Sequence, residues 1–424
     1  LLNYNFREKY MFNTNIDDLA QSLISNSVPV VLYGAGDFGQ LALFALNKHN
    51  IQVAYFCDSN EDKQGKSFLN IKTISPEELS KLTPDAHIFI SNHYVTQVST
   101  LLYKMGFKNV HSCVDLLENT DFSDSNISSS YYKTNYQWSS LKIKKEIAIH
   151  KYSCDKADNK SSSNLNIKYV DVVITERCSM KCRDCSNLMQ YYITPQNSDF
   201  DLFSKSVDRF MESIDRIGEF RVIGGDPLMN KEMFKFVNKL VTFKNADNVV
   251  IFTNATILPT GDNLECLKNE KVNLLITNYG ELSRKYDELI ELLDSNKILY
   301  VAEPVSAMWQ DVGTLKFEEK TIIQLNHLFD SCCANDLLSL MDGKLHRCPV
   351  SAHGEKLGAI PHFEDDVVDL TEDKKAIEET RENLREFYYN KSHIHACNYC
   401  KGREYGHGEI ISAVQTIKPL RLSN

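Results

Sequence analysis

The sequence predicts an α/β protein in which two sets of parallel strands are followed by a small cysteine-rich end. Three observations carry that expectation. Short apolar runs bounded by polar residues alternate with helix-length stretches, the pattern of strands joined by helices. Two of these runs end in paired or spaced glycines, at Gly34–Gly39 and at Gly224–Gly225. Eight of the twelve cysteines fall into two groups, at 178–185 and at 332–400.

The first module is expected over residues 1–117. Pro29–Tyr33 reads as a strand, Gly34-Ala-Gly-Asp-Phe-Gly39 follows as G-x-G-x-x-G, and Gln40–His49 has a helical pattern. A second strand, Val53–Cys57, ends at Asp58, 19 residues past Gly39. That is close to the roughly 20 that separate the glycines from a ribose-binding carboxylate in dinucleotide sites. Further strands fit at His87–Ser91 and Asn109–Ser112. The module resembles the short Rossmann-like domains at the front of sugar-modifying enzymes and methyltransferases. That resemblance implies either a nucleotide, nucleotide-sugar or NAD site at Gly34, Gly36, Gly39 and Asp58, or a fold used for docking. The tight turn needs its glycines in both cases. Residues 118–165 are rich in Ser, Asn and Asp and read as a linker, with Lys142–Lys145 a solvated basic face.

Cys178, Cys182 and Cys185 follow the apolar run Tyr169–Ile174 with spacing C-x3-C-x2-C. Three thiolates on one loop can hold three irons of a [4Fe–4S] cube and leave the fourth open. A zinc knuckle completed by a distant residue is the alternative. About forty residues on, Phe220–Leu228 contains Gly224-Gly225-Asp226-Pro227, and further strands fit at Val249–Thr256, Val272–Tyr279 and Lys297–Ala302. This region, 166–328, resembles the radical S-adenosylmethionine (SAM) superfamily. The resemblance implies a partial (β/α)6 barrel, with SAM chelated by the open iron and its amino group met by the Gly-Gly-Glu-Pro element. Asp226 stands where that element has Glu, and Asp184 where an aromatic usually precedes the third cysteine. Gly224, Gly225 and Asp226 are therefore candidate SAM contacts. Thr253, Asn254, Thr277 and Asn278, at strand ends on the same side, are candidates for SAM or substrate.

In residues 329–424, Cys333, Gly343 and Cys348 have C-x9-G-x4-C spacing, and Cys397 and Cys400 form C-x2-C. This resembles the twitch domain, a shorter relative of SPASM, and implies a second, auxiliary [4Fe–4S] cluster. Closed zinc with His393 or His395 is its competitor. Of Cys332 and Cys333 one is the ligand, with the spacing slightly favouring Cys333. The other is a buried thiol or a hydrogen-atom donor. Ser186–Tyr192, Trp309, Asp311, Arg347 and His353 are further candidates for facing the site.

With 47 basic and 57 acidic residues the net charge is −10, which argues against nucleic-acid binding. No apolar stretch reaches the length of a membrane span. Reduced thiols point to a cytoplasmic protein. The expected function is abstraction of hydrogen from a substrate by a 5'-deoxyadenosyl radical. The resemblance to radical SAM and twitch enzymes implies oxidation or epimerisation of a sugar or nucleotide-sugar carbinol, with electrons from a flavodoxin or ferredoxin. Ribosomal-peptide maturation and a non-catalytic metal-binding scaffold are the alternatives.

Overall fold

The structure is a computed structural model that describes residues 28–123, 127, 133–134, 140–157, 164–305, 308–372, 376–403 and 409–422. It divides into two compact units, residues 1–130 with 137–162, and residues 131–136 with 163–424.

The first unit holds a six-stranded sheet of β1 (Val30–Tyr33), β2 (Tyr55–Cys57), β3 (Ser67–Phe68), β4 (Ile71–Ile74), β5 (His87–Ile90) and β6 (Asn109–Ser112). The order is β3-β4-β2-β1-β5-β6, parallel throughout except for β3 against β4. Chain order reverses between β1 and β5. Every residue of β1 is buried because both faces are covered: Val30 and Leu32 enter one apolar cluster, Val31 and Tyr33 the other. The stretch read as a linker contains the helix Ser140–Ala157, and this helix belongs to the first unit. Its Ile143 and Ile147 pack in one cluster and Cys154 in the other.

The second unit is built on a nine-stranded sheet. Its strands are β7 (Lys133–Thr134), β8 (Asn166–Thr175), β9 (Arg216–Gly224), β10 (Ala246–Thr253), β11 (Val272–Ile276), β12 (Tyr300–Ala302), β14 (Leu337–Met341), β15 (Lys344–His346) and β16 (Val367–Asp369). A separate pair joins β13 (Met308–Gln310) to β17 (Glu409–Ile411). The order in the large sheet is β16-β15-β14-β8-β9-β10-β11-β12-β7. Six neighbours, β14 to β12, run parallel. The helices Phe200–Ser213, Met233–Val241 and Tyr286–Ser295 bury one face of each against the sheet through Phe203, Phe210, Phe236, Leu240, Leu289 and Leu293.

Six parallel strands agree with the number expected, but the sixth arrives from an unexpected place. It is β14, drawn from the cysteine-rich region and lying beside β8. Residues 329–424 thus share the sheet of 166–328 and form no compact unit of their own. Gly343 serves the β14–β15 hairpin: Asp342 and Gly343 both take positive φ, 48° and 80°, as a two-residue type I′ turn requires.

Candidate functional site

The three-cysteine loop leaves the C-terminal end of β8. Cys178, Cys182 and Cys185 gather with Met180, Ala413, Tyr279 and Trp309 in one cluster. Burial pushes all three thiols up, Cys182 to about 11. Uncompensated, they stay neutral; a bound cationic centre is what would draw them into the thiolate form. The loop is tied down by a late segment that carries no motif of its own. Cys182 forms an antiparallel bridge with Gln415, and Arg183 N donates to Val414 O at 2.7 Å.

Gly224 and Gly225 work by admitting backbone. A Cβ on Gly224 would collide with the Thr175 carbonyl oxygen, and one on Gly225 with that of Arg177. Strand β9 can therefore close on the start of the cysteine loop, where Gly225 N donates to Thr175 O and Asp226 N to Arg177 O. The Asp226 carboxylate is 1 % exposed. It accepts from Leu228 N, Thr253 Oγ1 and Asn254 N, each at 3.0 Å. Burial raises its pKa against the pull of those donors. A direct Asp226 contact with SAM was expected; here the shorter side chain is committed to the β10 end, and it fixes Thr253 and Asn254.

Those two line a cavity with about 900 Å³ of space free of protein atoms, partly open to solvent. The three cysteines, Gly224, Gly225 and Thr277 also line it. So do Ser186, Asn187 and Met189 just past the loop, and Trp309, Gln310 and Arg403 from the later chain. Asn187 Nδ2 donates to Gly224 O at 2.8 Å, and Tyr279 meets Trp309 edge to face at 5.6 Å. Several expected site residues lie elsewhere. Asn278 caps its own turn by accepting from Gly280 N, and Asp311 pairs with Lys401. Arg347 is caged by Phe329, Phe387 and Tyr388 while donating to backbone carbonyls. His353, fully buried, hydrogen-bonds Tyr192 at 2.8 Å. These are fold contacts.

The family model described as "4Fe-4S single cluster domain" matches residues 169–297, from β8 through the cysteine loop to the stretch before β12. This match and the relatives it resembles support a radical SAM domain in that stretch. A GTP 3',8-cyclase of Clostridium acetobutylicum is 26% identical over 146 residues, 31% of this chain and 45% of the relative. One from Campylobacter jejuni subsp. doylei is 26% identical over 138 residues, 30% and 41% of the two chains. The chain spans less than half the length of these relatives. Among solved structures, BtrN in complex with AdoMet and 2-DOIA gives a TM-score of 0.33 at 18% identity, covering 56% of this chain and 94% of that one. Residues 26–111 match a second family model, "C2185-like, N-terminal".

The chain carries a second gathering of thiols. Cys348, Cys397 and Cys400 share one apolar cluster. Cys348 caps the helix Pro349–Lys356, its sulfur accepting from Ser351 N at 3.4 Å, and Cys400 accepts from Gly402 N at 3.3 Å. Cys332 lies within electrostatic reach of Cys348, Cys397 and Cys400, and the neighbouring thiol of exposed Cys333 holds its pKa down. Among the described residues no three His, Cys, Asp or Glu converge as on a single ion. His393 and His395 are engaged with Asn326 and Asp366.

Arg403 joins the two settings. It lines the cavity of the first three cysteines and lies electrostatically against Cys332, Cys333, Cys348 and Cys400. No ion pair involves it among the described residues. Sequence reasoning passed over it, as it passed over Asp171. Asp171 faces Arg221 and Ser339 across neighbouring strands, is 2 % exposed, and burial pushes it up to about 7. Its Oδ1 and the Ser339 Oγ have no partner among the described residues. A lone carboxylate inside the apolar run Tyr169–Ile174 was the available signal.

In the first unit the glycine loop is engaged by its own surroundings. The Asp58 carboxylate accepts from Ala35 N and Asn60 N, each at 2.9 Å, and from Lys63 Nζ at 3.1 Å. Cβ atoms on Gly34 and Gly39 would strike the Ser91 and Gly34 carbonyl oxygens, while Gly36 has open space. Beside the loop Phe38 packs on His93 and His150, with ring centroids at 5.1 and 4.6 Å.

Proposed function

We propose that this protein is a radical SAM enzyme that oxidises or epimerises a carbinol carbon of a sugar or nucleotide-linked sugar. The observation that carries the reading is one cavity shared by three cysteines, two strand-end glycines and Arg403. A cube on Cys178, Cys182 and Cys185, with SAM on its open iron, would supply the electron that cleaves SAM to a 5'-deoxyadenosyl radical. Gly224 and Gly225 bring their strand end against the loop. Thr253, Asn254 and Asn187 offer hydrogen bonds at the cavity wall, and Tyr279 with Trp309 forms an apolar side.

The Arg403 guanidinium in that wall favours a substrate with negative charge, as a phosphate-linked sugar has. The second thiol set, taken as a saturated auxiliary cluster, would accept an electron from a substrate radical, which favours oxidation. Cys332, near the other three thiols, is then its fourth ligand and Cys333 the spare thiol. Anaerobic reconstitution followed by a SAM-cleavage assay with nucleotide sugars in deuterated water tests the reading. Oxidation gives a product lighter by two hydrogens; epimerisation gives an isomer with one solvent deuterium. A product with a new carbon–carbon or carbon–sulfur bond in a peptide would replace this reading with peptide maturation. Cys332→Ala should lose the auxiliary iron while Cys333→Ala keeps it.

A further inference from the structure

The segment Ser412–Thr416 lies antiparallel against the cysteine loop, and its one long polar side chain is aimed at a sulfur. Gln415 Nε2 donates to Cys182 Sγ at 3.1 Å. Its Oε1 accepts from Lys181 N at 2.9 Å, which decides the orientation of the amide. Turned over, the oxygen would face the sulfur and the NH2 would face another N–H, losing both bonds. Backbone bonds on either side, Arg183 N to Val414 O and Thr416 N to Lys181 O, both 2.7 Å, hold the segment in register. Buried Ala413 packs against Met180 and Cys182 beneath it.

We propose that Gln415 is a positioning residue that raises the reduction potential of the cluster held by Cys178, Cys182 and Cys185. The inference rests on the radical SAM reading. Reduction adds one electron to the cluster, and part of that charge resides on the cysteine sulfurs. An N–H aimed at a sulfur stabilises the more negative state, so it makes reduction easier. A second donor, Asn254 Nδ2 at 3.6 Å from Cys178 Sγ, is longer and contributes less. Gln415 is thus the shorter of the two side-chain amide donors to this loop's sulfurs among the described residues.

The test is a potentiometric titration of the reconstituted full chain with dithionite, followed by EPR on the signal that SAM perturbs. Gln415→Glu keeps an acceptor for Lys181 N but loses the donor. Its midpoint should move negative, the ratio of reduced to oxidised cluster falling about tenfold at the wild-type midpoint, or ~59 mV for one electron. Gln415→Leu should shift the same way by a smaller amount, since it adds no charge. Thr416→Val removes a strap hydrogen bond, to Lys181 O at 3.2 Å, that touches no sulfur; its midpoint should stay at the wild-type value. Unchanged midpoints in both Gln415 variants overturn the proposal, as does an equal shift in Thr416→Val. A wild-type chain that binds no SAM-responsive cluster overturns the radical SAM reading itself.

Discussion

Two strand ends in this molecule look alike in sequence and are packed differently. Each closes a parallel strand with glycines and places an aspartate nearby, Gly34–Gly39 with Asp58 and Gly224–Gly225 with Asp226. In the first unit the aspartate secures Ala35 and Lys63, and Phe38, His93 and His150 pack beside the loop. In the second the aspartate is equally committed, but the wall it organises still borders a cavity. Glycines at a strand end therefore state that backbone must pass closely. Whether it passes a ligand or another stretch of the same chain depends on what packs opposite.

The largest effect should come from removing what fills the second strand end and not the first. Cys178→Ala, Cys182→Ala and Cys185→Ala together should lower anaerobic iron from about eight to about four per chain and abolish SAM cleavage. Iron counts unchanged from wild type would break the contrast.

Substituting the glycines sharpens it. Gly225→Ala drives a methyl into the Arg177 carbonyl and should cost about 2 kcal/mol or more in urea unfolding, with loss of the cluster loop's order. Gly36→Ala enters open space at φ −148° and should stay within about 0.5 kcal/mol. If Gly36→Ala weakens calorimetric binding of a nucleotide sugar or NAD, the first unit holds a working site.

The smallest effect concerns the polar face of the large sheet. Asp171 is raised by burial from the ordinary carboxylate range to about 7. At low pH it is protonated in both folded and unfolded chains. As pH rises past 4 the unfolded chain ionises first, so stability from this group falls until the folded carboxyl ionises near 7. Thermal melts between pH 5 and pH 8 should show that decline, and Asp171→Asn should flatten it.

The strands from β8 to β12 were legible because each is a short apolar run between polar ends. β14 was not, since Leu337–Met341 lies among cysteines and nothing local tells a strand which distant neighbour it will pair with. The helix Ser140–Ala157 was hidden by its Ser- and Asn-rich flanks, although Ile143, Ile147, His150 and Cys154 keep helical spacing. The three cysteines could be found by spacing alone. Gln415 and Arg403 could not, because a ligand's neighbour has no pattern of its own. The bonds of Asp226 to Leu228, Thr253 and Asn254 could not be read from its motif either, since they depend on where the β10 end packs.

The pairing of β14 with β8 also bears on how the chain is made. Leu337 meets Tyr169 across most of the unit's length. Until the ribosome has delivered that late strand, one edge of β8 stands open, with the cysteine loop at its end. Open strand edges recruit other chains, and non-local pairings close slowly. Loading iron before release would thus ask an unfinished sheet to present its thiols, whereas loading afterwards finds the loop already strapped. Synthesis order alone favours assembly of the metal centre as a late event.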